Sequence, residues 1–563
     1  MRTPLYVLVA VLAAATSVPA QLVAQTAGPL AYAEHRSAAS AAFQSGDYAA
    51  AISHARSALA HSDWDGGLWL VLARSARRNG DSALAFSAYR EAINRGVGGG
   101  LRDYDLSLAV ATLFASTGTP DSALGLIEAA LSARAPRAML AEDSVLRSLM
   151  ARPAFGRITP PAPAAAADRT AGWQGDIAFL VSEARRLNPA PMAPAHAAAF
   201  TAEAETLAAA VPRLSDEVVA AGIQRLLAAL GDGHTVLYPM PTERVRFRTV
   251  PFALYRFSDG VHVVAAEGEA AALVGARVDS VGGIAADEAL RRLRPYVSRD
   301  NHMGYDFLGS YFLAMPMMLN AIGAARETAS VTYRLTLPDG TPRSVTLNAT
   351  GPRHLPRLRA PAGSHAPRWL RHADRAFWVE RLGDSRVVYA QVNQVGNTDT
   401  ESLRQFAMRV RDSLTSADAT TLVLDLRHNN GGNNFLIPPL VELAAWFEFS
   451  GEGRRVVALT SRITFSAAQN LVNALDRFTG TIFAGEPSGS KPNFAGEDNP
   501  VVLPWSGLMV SIANRYWADS YPEDTRQWVA PDLPHRLSAA DFFAGRDSLL
   551  DAVVEYAAPQ RAR

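Results

Sequence analysis

Arg454–Asn493 reads RRVVALTSRITFSAAQNLVNALDRFTGTIFAGEPSGSKPN, and its periodicity changes twice. Val456–Leu459 is a short apolar run, the pattern of a strand buried on both faces. From Ser466 onward, Ala467, Leu471, Leu475 and Phe478 fall at helical spacing, and Ile482-Phe483-Ala484 returns to a strand. The reading places Ser466 at the turn into a helix, where unpaired backbone N–H groups and the helix dipole favour negative charge. Two roles suit a serine there. It is a helix N-cap, or it is a nucleophile whose tetrahedral intermediate carries an oxyanion in need of such donors. Lys491 follows the GEPSGS turn. A lysine kept neutral by burial serves as base to a serine, whereas a solvated loop lysine does not. The turn is no phosphate loop, because it lacks the GxxxxGK[ST] spacing and Pro492 follows the lysine.

The same alternation runs upstream. Val387–Val392 reads as a strand, Glu401–Leu414 as a helix and Thr421–Leu426 as a second strand, a βαβ unit of a mostly parallel sheet. It ends in DLRHNNGGNN, Asp425–Asn434, whose glycines suit a turn. Pro438-Pro439 fit the first turn of the next helix. Further upstream, Ser215 caps a helix with Val219, Ile223, Leu226, Leu227 and Leu230 on its apolar face. That helix delivers Gly231-Asp232-Gly233-His234-Thr235. A histidine in such a loop is either a structural hydrogen-bonder or a general base.

FSAAQ followed by GEPSGSK resembles the carboxy-terminal-processing (tail-specific) serine peptidase family, whose core is shared with tricorn protease and the retinoid-binding interphotoreceptor repeats. DLRHNNGGN resembles the family's DLR-x-N-x-GG motif and LGDGHT its D-x-H-T motif. The resemblance spans about Trp173 to Tyr556. It implies a multidomain α and α/β protein: a helical cap, a β-rich PDZ-like domain and an α/β peptidase core of the ClpP/crotonase type. It also implies Ser466 as nucleophile, with Lys491 as base in the processing branch and His234 as base in tricorn-type members. Gln469 lies on the helix face that would orient the lysine, and Gly431 or Gly432 would form an oxyanion hole with Ala467. Trp528–Asp532 resembles the family's C-terminal signature, upstream of which tricorn-type members place an acidic residue. Glu523 and Asp524 are the candidates, the alternative being a solvated loop pair. The chain departs from the processing proteases in its GSK turn, its lack of a GLGF-type loop and its N-terminal repeats.

Those repeats are SGDYAAAISHARSALA, NGDSALAFSAYREAIN and TPDSALGLIEAALSA, with Asp47, Asp81 and Asp121 separated by 34 and 40 residues. The spacing resembles tetratricopeptide repeats; a plain alanine-rich bundle is the alternative, and either way the segment suits a protein partner. Arg2, the apolar run Leu5–Ala15 and Val18-Pro19-Ala20 have the form of an export signal. The expected layout is therefore a signal over 1–20, repeats over 32–150, a Pro/Ala linker over 151–172, a cap over 173–240, the β domain over 241–350 and the core over 380–558. Within the β domain, Tyr255–Phe257 with Val261–Val264, and Val331–Leu337 before Pro338-Asp339-Gly340, read as hairpins.

The chain has 563 residues, 54 basic and 54 acidic ones, and no cysteine. Disulfides, thiolate metal sites and a cysteine nucleophile are excluded, and the balanced charge gives no nucleic-acid surface. His365 and His372 have no acidic partner at metal-ligand spacing. The expectation is an exported serine peptidase, periplasmic or extracellular, without metal or cofactor and without a membrane span once processed, acting on polypeptides. A binding or carrier protein that keeps the fold, or a repeat-based scaffold, is the alternative from another class.

Overall fold

The computed structural model describes residues 20–97, 104–116, 120–150, 152–155, 168–189, 194–351, 358–359, 366–383 and 385–557. The export-signal reading up to residue 19, His365 and most of the Pro/Ala linker fall outside them. The chain divides into two compact units, Met1–Thr159 and Pro160–Arg563.

The first unit is helical: α1 (Ala20–Ser45), α2 (Tyr48–His61), α3 (Gly66–Arg78), α4 (Ser82–Asn94), α5 (Asp105–Ser116), α6 (Pro120–Ser132), α7 (Arg137–Glu142) and α8 (Ser144–Met150). The repeated aspartates Asp47 and Asp81 are N-caps, accepting the N–H of Ala50 and Leu84 at 3.0 and 2.9 Å. Asp65 caps α3 in the same way. Small residues such as Ala55, Ala58, Ala85 and Ala88 form much of its core, so the helices pack closely.

The second unit begins with α9 (Arg169–Leu187), α10 (Pro194–Ala210) and α11 (Asp216–Ala228). Asp168 caps α9, so the expected linker loses its last residues to the first turn of that helix. After β1 (Val236–Leu237) comes an antiparallel sheet of β2 (Phe252–Phe257), β3 (Gly260–Ala266), β4 (Arg277–Val281), β5 (Ile284–Ala285), β6 (Ser330–Thr336) and β7 (Pro342–Asn348), in the order β2-β3-β4-β6-β7 with β5 on β4. Both expected hairpins are present as the β2–β3 and β6–β7 pairs. Between β5 and β6 lie α12 (Ala286–Leu293), α13 (His302–Phe312) and α14 (Pro316–Ala321).

After a single helical turn, α15 (Arg368–Arg371), the parallel sheet follows. Its elements are β8 (Phe377–Arg381), β9 (Val387–Val392), α16 (Leu403–Ser416), β10 (Thr421–Asp425), α17 (Pro438–Phe449), β11 (Arg455–Thr460), α18 (Ala467–Phe478) and β12 (Ile482–Gly485). Four short strands come next: β13 (Phe494–Gly496), β14 (Pro500–Val502), β15 (Met509–Ser511) and β16 (Arg515–Trp517). β17 (Leu533–Pro534), α19 (Ala539–Phe543) and α20 (Ser548–Ala557) close the chain. The sequence leads one to expect a single last helix over Ala539–Tyr556; the chain breaks it at Gly545, whose φ of +68° suits glycine.

The sheet order is β17-β12-β11-β10-β9-β8, parallel except at β8–β9. Every residue of β9 and β10 is buried, which is why these strands read as unbroken apolar runs. One face packs on α16, α17 and α18 through Leu422, Leu424, Phe406, Leu443 and Leu471. The other face packs on α20 through Val423, Val457 and Val553. The cap helices, the antiparallel sheet and β14–β15 share one core, joined by β1 pairing with β15. Among the described residues no helix is long and apolar enough to cross a membrane.

Candidate active site

In a parallel sheet the turns beyond the carboxyl ends of the strands collect ligands and reacting groups. Two such turns meet here. β10 runs into Arg427–Asn433, and β11 runs through Ser461–Phe465 into α18. Ser466 is the N-cap residue of α18, yet its side chain makes no capping hydrogen bond. Its φ of +56° is one that residues with a Cβ rarely adopt. The hydroxyl points elsewhere: Ser466 Oγ lies 3.0 Å from His234 Nε2, across 232 positions of sequence.

His234 is held from three sides. Its ring stacks on Phe465 with centroids 4.5 Å apart, and on Phe494 with centroids 5.5 Å apart and planes 6° from parallel. Its backbone N–H and that of Thr235 donate to Asp232 Oδ1 at 2.9 and 2.7 Å, closing the turn. Burial pushes the imidazole down to about 4, opposed by the Asp498 charge and the Ala495 backbone. A neutral imidazole with its ring proton on Nδ1 offers Nε2 as the acceptor for the serine proton. Nδ1 is buried and makes no hydrogen bond of standard geometry.

The glycines at the end of β10 set the opposite wall. A Cβ on Gly431 would stand 2.7 Å from Ser466 Cβ and 3.1 Å from the Ala467 nitrogen, and one on Gly432 would stand 2.1 Å from the Val395 carbonyl oxygen. With φ of +116° and +135°, both positions require glycine. The Gly431 N–H is already taken by Asn429 Oδ1 at 3.0 Å. Among the described residues neither the Gly432 nor the Ala467 N–H has a hydrogen-bond acceptor, so these two are the donors left for an oxyanion. Asn429 also donates to the Val392 carbonyl at 3.0 Å, and its own carbonyl accepts the Phe465 N–H at 3.0 Å. It thereby fixes both turns to each other. Its place in DLRHNNGG marks it in sequence, but the side chain's direction does not show there.

Lys491 is half-buried and makes no hydrogen bond to Ser466; its charge acts on Asp300. Gln469 does not reach it either. Buried in α18, Gln469 donates to Asn473 Oδ1 at 2.8 Å and accepts from Ser488, while Asn473 donates to the Pro492 carbonyl. The expected orienting role is thus corrected: Gln469 braces the 488–492 loop through the Ser488 hydroxyl and through Asn473, not through the lysine amine. Ser490, a residue the sequence reading passed over, accepts the Ser466 N–H at 3.1 Å. Glu523 is exposed. Asp524 bonds Arg526 and Ser520, and Arg526 foremost holds its carboxyl at about 2. Neither acid reaches His234. Among the described residues no group of three or more metal-binding side chains is arranged to hold an ion.

A cavity of about 1490 Å³ opens at this pair. Phe307, Leu308, Ile463, Val264, Arg299 and Asp498 are among its walls, so it lies between the antiparallel sheet, α13 and the parallel-sheet turns.

No protein-family model and no curated protein matches the chain. Among solved structures, mature CPAF is similar at 12% identity over 69% of this chain and 97% of that one, with a TM-score of 0.49. The photosystem II D1 C-terminal processing protease is similar at 16% identity over 67% of this chain and 98% of that one, with a TM-score of 0.31. Tricorn protease is similar at 11% identity over 69% of this chain and 36% of that one, with a TM-score of 0.29. Likeness at these levels is remote, so the chemistry is read from the site's own geometry.

Proposed function

We propose that this chain is an exported serine peptidase that cleaves polypeptides through an acyl-enzyme on Ser466. The single observation that carries the reading is the 3.0 Å contact between Ser466 Oγ and His234 Nε2, made by a serine whose strained backbone turns its hydroxyl away from the capping position. In the first step His234 Nε2 takes the hydroxyl proton as Oγ bonds to the scissile carbonyl carbon. The oxyanion accepts from the Gly432 and Ala467 N–H groups. The tetrahedral intermediate collapses, the C–N bond breaks, and the imidazolium gives its proton to the leaving amine. Water, deprotonated by His234, then hydrolyses the ester and restores Ser466.

In this reading Lys491 is not the base. The cleft exceeds the roughly 300–1,000 Å³ of small-molecule pockets, which suits an extended chain better than a metabolite. Export rests on the apolar N-terminal segment, and the helical unit, read as tetratricopeptide-like, would carry a protein partner.

The test is hydrolysis of unstructured polypeptide, with fluorophosphonate labelling, by wild type and by Ser466→Ala, His234→Ala and Lys491→Ala. Ser466→Ala should lose label and turnover. His234→Ala should fall by at least about 10²-fold, the scale of general-base catalysis, and Lys491→Ala by much less. Loss with Lys491→Ala equal to that with Ser466→Ala would move the base to the lysine. A wild type that takes no label and cleaves nothing, yet fills the cleft with an apolar ligand, would make the protein a carrier.

A further inference from the structure

Beneath the Ser466–His234 pair lie two carboxyl groups for which the reaction has no use. Asp232 closes the histidine turn. Asp300 comes from the segment before α13, and its Oδ1 accepts the Gly233 N–H at 2.9 Å, from the same turn. The next residue, Asn301, donates through Nδ2 to the carbonyls of Ser488, Ser490 and Gln527 at 3.0, 3.1 and 2.8 Å. Ser490 in turn accepts the Ser466 N–H. Asp300-Asn301 is therefore the joint between the turn that carries the base and the loop that pins the nucleophile. Both carboxyl groups are only 6% exposed, and Asp300 Oδ2 is buried without a hydrogen bond of standard geometry. Two anions in such a place, one with an unmet oxygen, are far costlier than one anion beside a neutral acid.

We propose that Asp300 is a positioning residue for the Ser466–His234 pair, holding the Gly233 amide as a neutral acid and loosening the histidine turn when it ionises. The activity readout of this inference rests on the peptidase reading; the structural readout does not.

The groups facing Asp300 are Asp232 and the Gly233 amide from the turn, and Ser490 and Lys491 from the loop after β12. Burial first, then the Asp232 charge, pushes Asp300 up to about 7, while the amide, the Ser490 hydroxyl and the Lys491 cation oppose the shift. Burial likewise pushes Asp232 up to about 6, against the Thr235 and His234 hydrogen bonds. The sign follows by linkage. An acid that stays protonated in the fold after its unfolded counterpart has ionised binds a proton on folding. Its contribution to stability is present in acid and is lost as pH rises from about 4 to about 7.

The experiment compares full-length wild type with Asp300→Asn and Asp300→Ala, reading kcat on polypeptide and hydrogen-exchange protection of the Gly233 amide across pH 5 to 9. In wild type protection should fall as pH rises from 5 to about 7 and level off above it, and kcat should fall above pH 7 by up to about tenfold per pH unit, as for one required proton. Asp300→Asn keeps an acceptor but no titrating proton, so the pH-dependent fall should vanish from both readouts. Asp300→Ala removes the acceptor and should lower both at every pH. A fall in protection between pH 5 and 7 that persists in Asp300→Asn, or protection that Asp300→Ala leaves unchanged, overturns the inference. Protection that behaves as expected in a protein whose Ser466 takes no acyl label keeps the inference and removes the peptidase reading. Label with unmoved protection does the reverse.

Discussion

Ser466 is where strain and chemistry coincide. A φ of +56° on a residue with a Cβ stores on the order of 1–3 kcal/mol, held in place by the Asn429 and Ser490 hydrogen bonds on either side of it. Ser466→Gly should therefore raise stability by about 1 kcal/mol while abolishing turnover, which denaturant unfolding and a peptidase assay check together. Ser466, His234 and the glycine pair were all legible as candidates in the sequence, because each sits at the end of a clear periodic element. The choice among them was not. Whether His234 or Lys491 faces the hydroxyl depends on a contact closed over 232 positions, and Gly432 is set apart from Gly431 only by the direction of the Asn429 amide. No local pattern encodes either.

At the scale of elements, burial on both faces made β9, β10 and β11 easy to place, since parallel strands leave no polar alternation to confuse with a helix. Elements whose ends depend on tertiary partners were harder. Phe478 sits at helical spacing with the apolar face of α18 but is 59% exposed, because the helix ends there. The region after Lys491, whose sequence suggests two strands, folds as four short ones: β14 pairs with β15, β13 with β16, and β15 also with the distant β1. The ends of β11 and β12 are tied by a buried ion pair, Arg462 Nε to Glu486 Oε2 at 2.8 Å, and Arg462 reaches on to the Arg256 carbonyl in β2 at 2.8 Å. Arg462→Ala would leave Glu486 buried with only the looser Arg536 Nε contact at 3.9 Å, and should destabilise the second unit by up to about 3–5 kcal/mol. Chemical denaturation checks this, and a loss under 1 kcal/mol would show that the pair is solvated.

For the whole molecule, each unit has its own apolar core: one confined to residues 39–155, the others to residues 173 onward. Separate cores predict two resolvable transitions in calorimetry, with a fluorophosphonate label on Ser466 shifting only the one that belongs to Pro160–Arg563. A single cooperative transition would contradict this. The repeats were visible as aspartate-led helices, and the boundary near residue 160 as a proline-alanine run. The merging of cap and antiparallel sheet into one core was not visible, because it depends on distant contacts, α11 packing on α14 and β1 pairing with the late strand β15. That late strand also sets a clock. β1, two residues after His234, pairs Val236 with Ser511, so a ribosome that has finished Lys491 has made the histidine, the glycine pair, the serine and the lysine but not the strand on which the histidine turn rests. Until the last tenth or so of the chain emerges, Val236 and Leu237 have no β15 to pair with, and the histidine turn lacks that anchor. In the peptidase reading, the growing polypeptide therefore has no assembled site until its synthesis is nearly over.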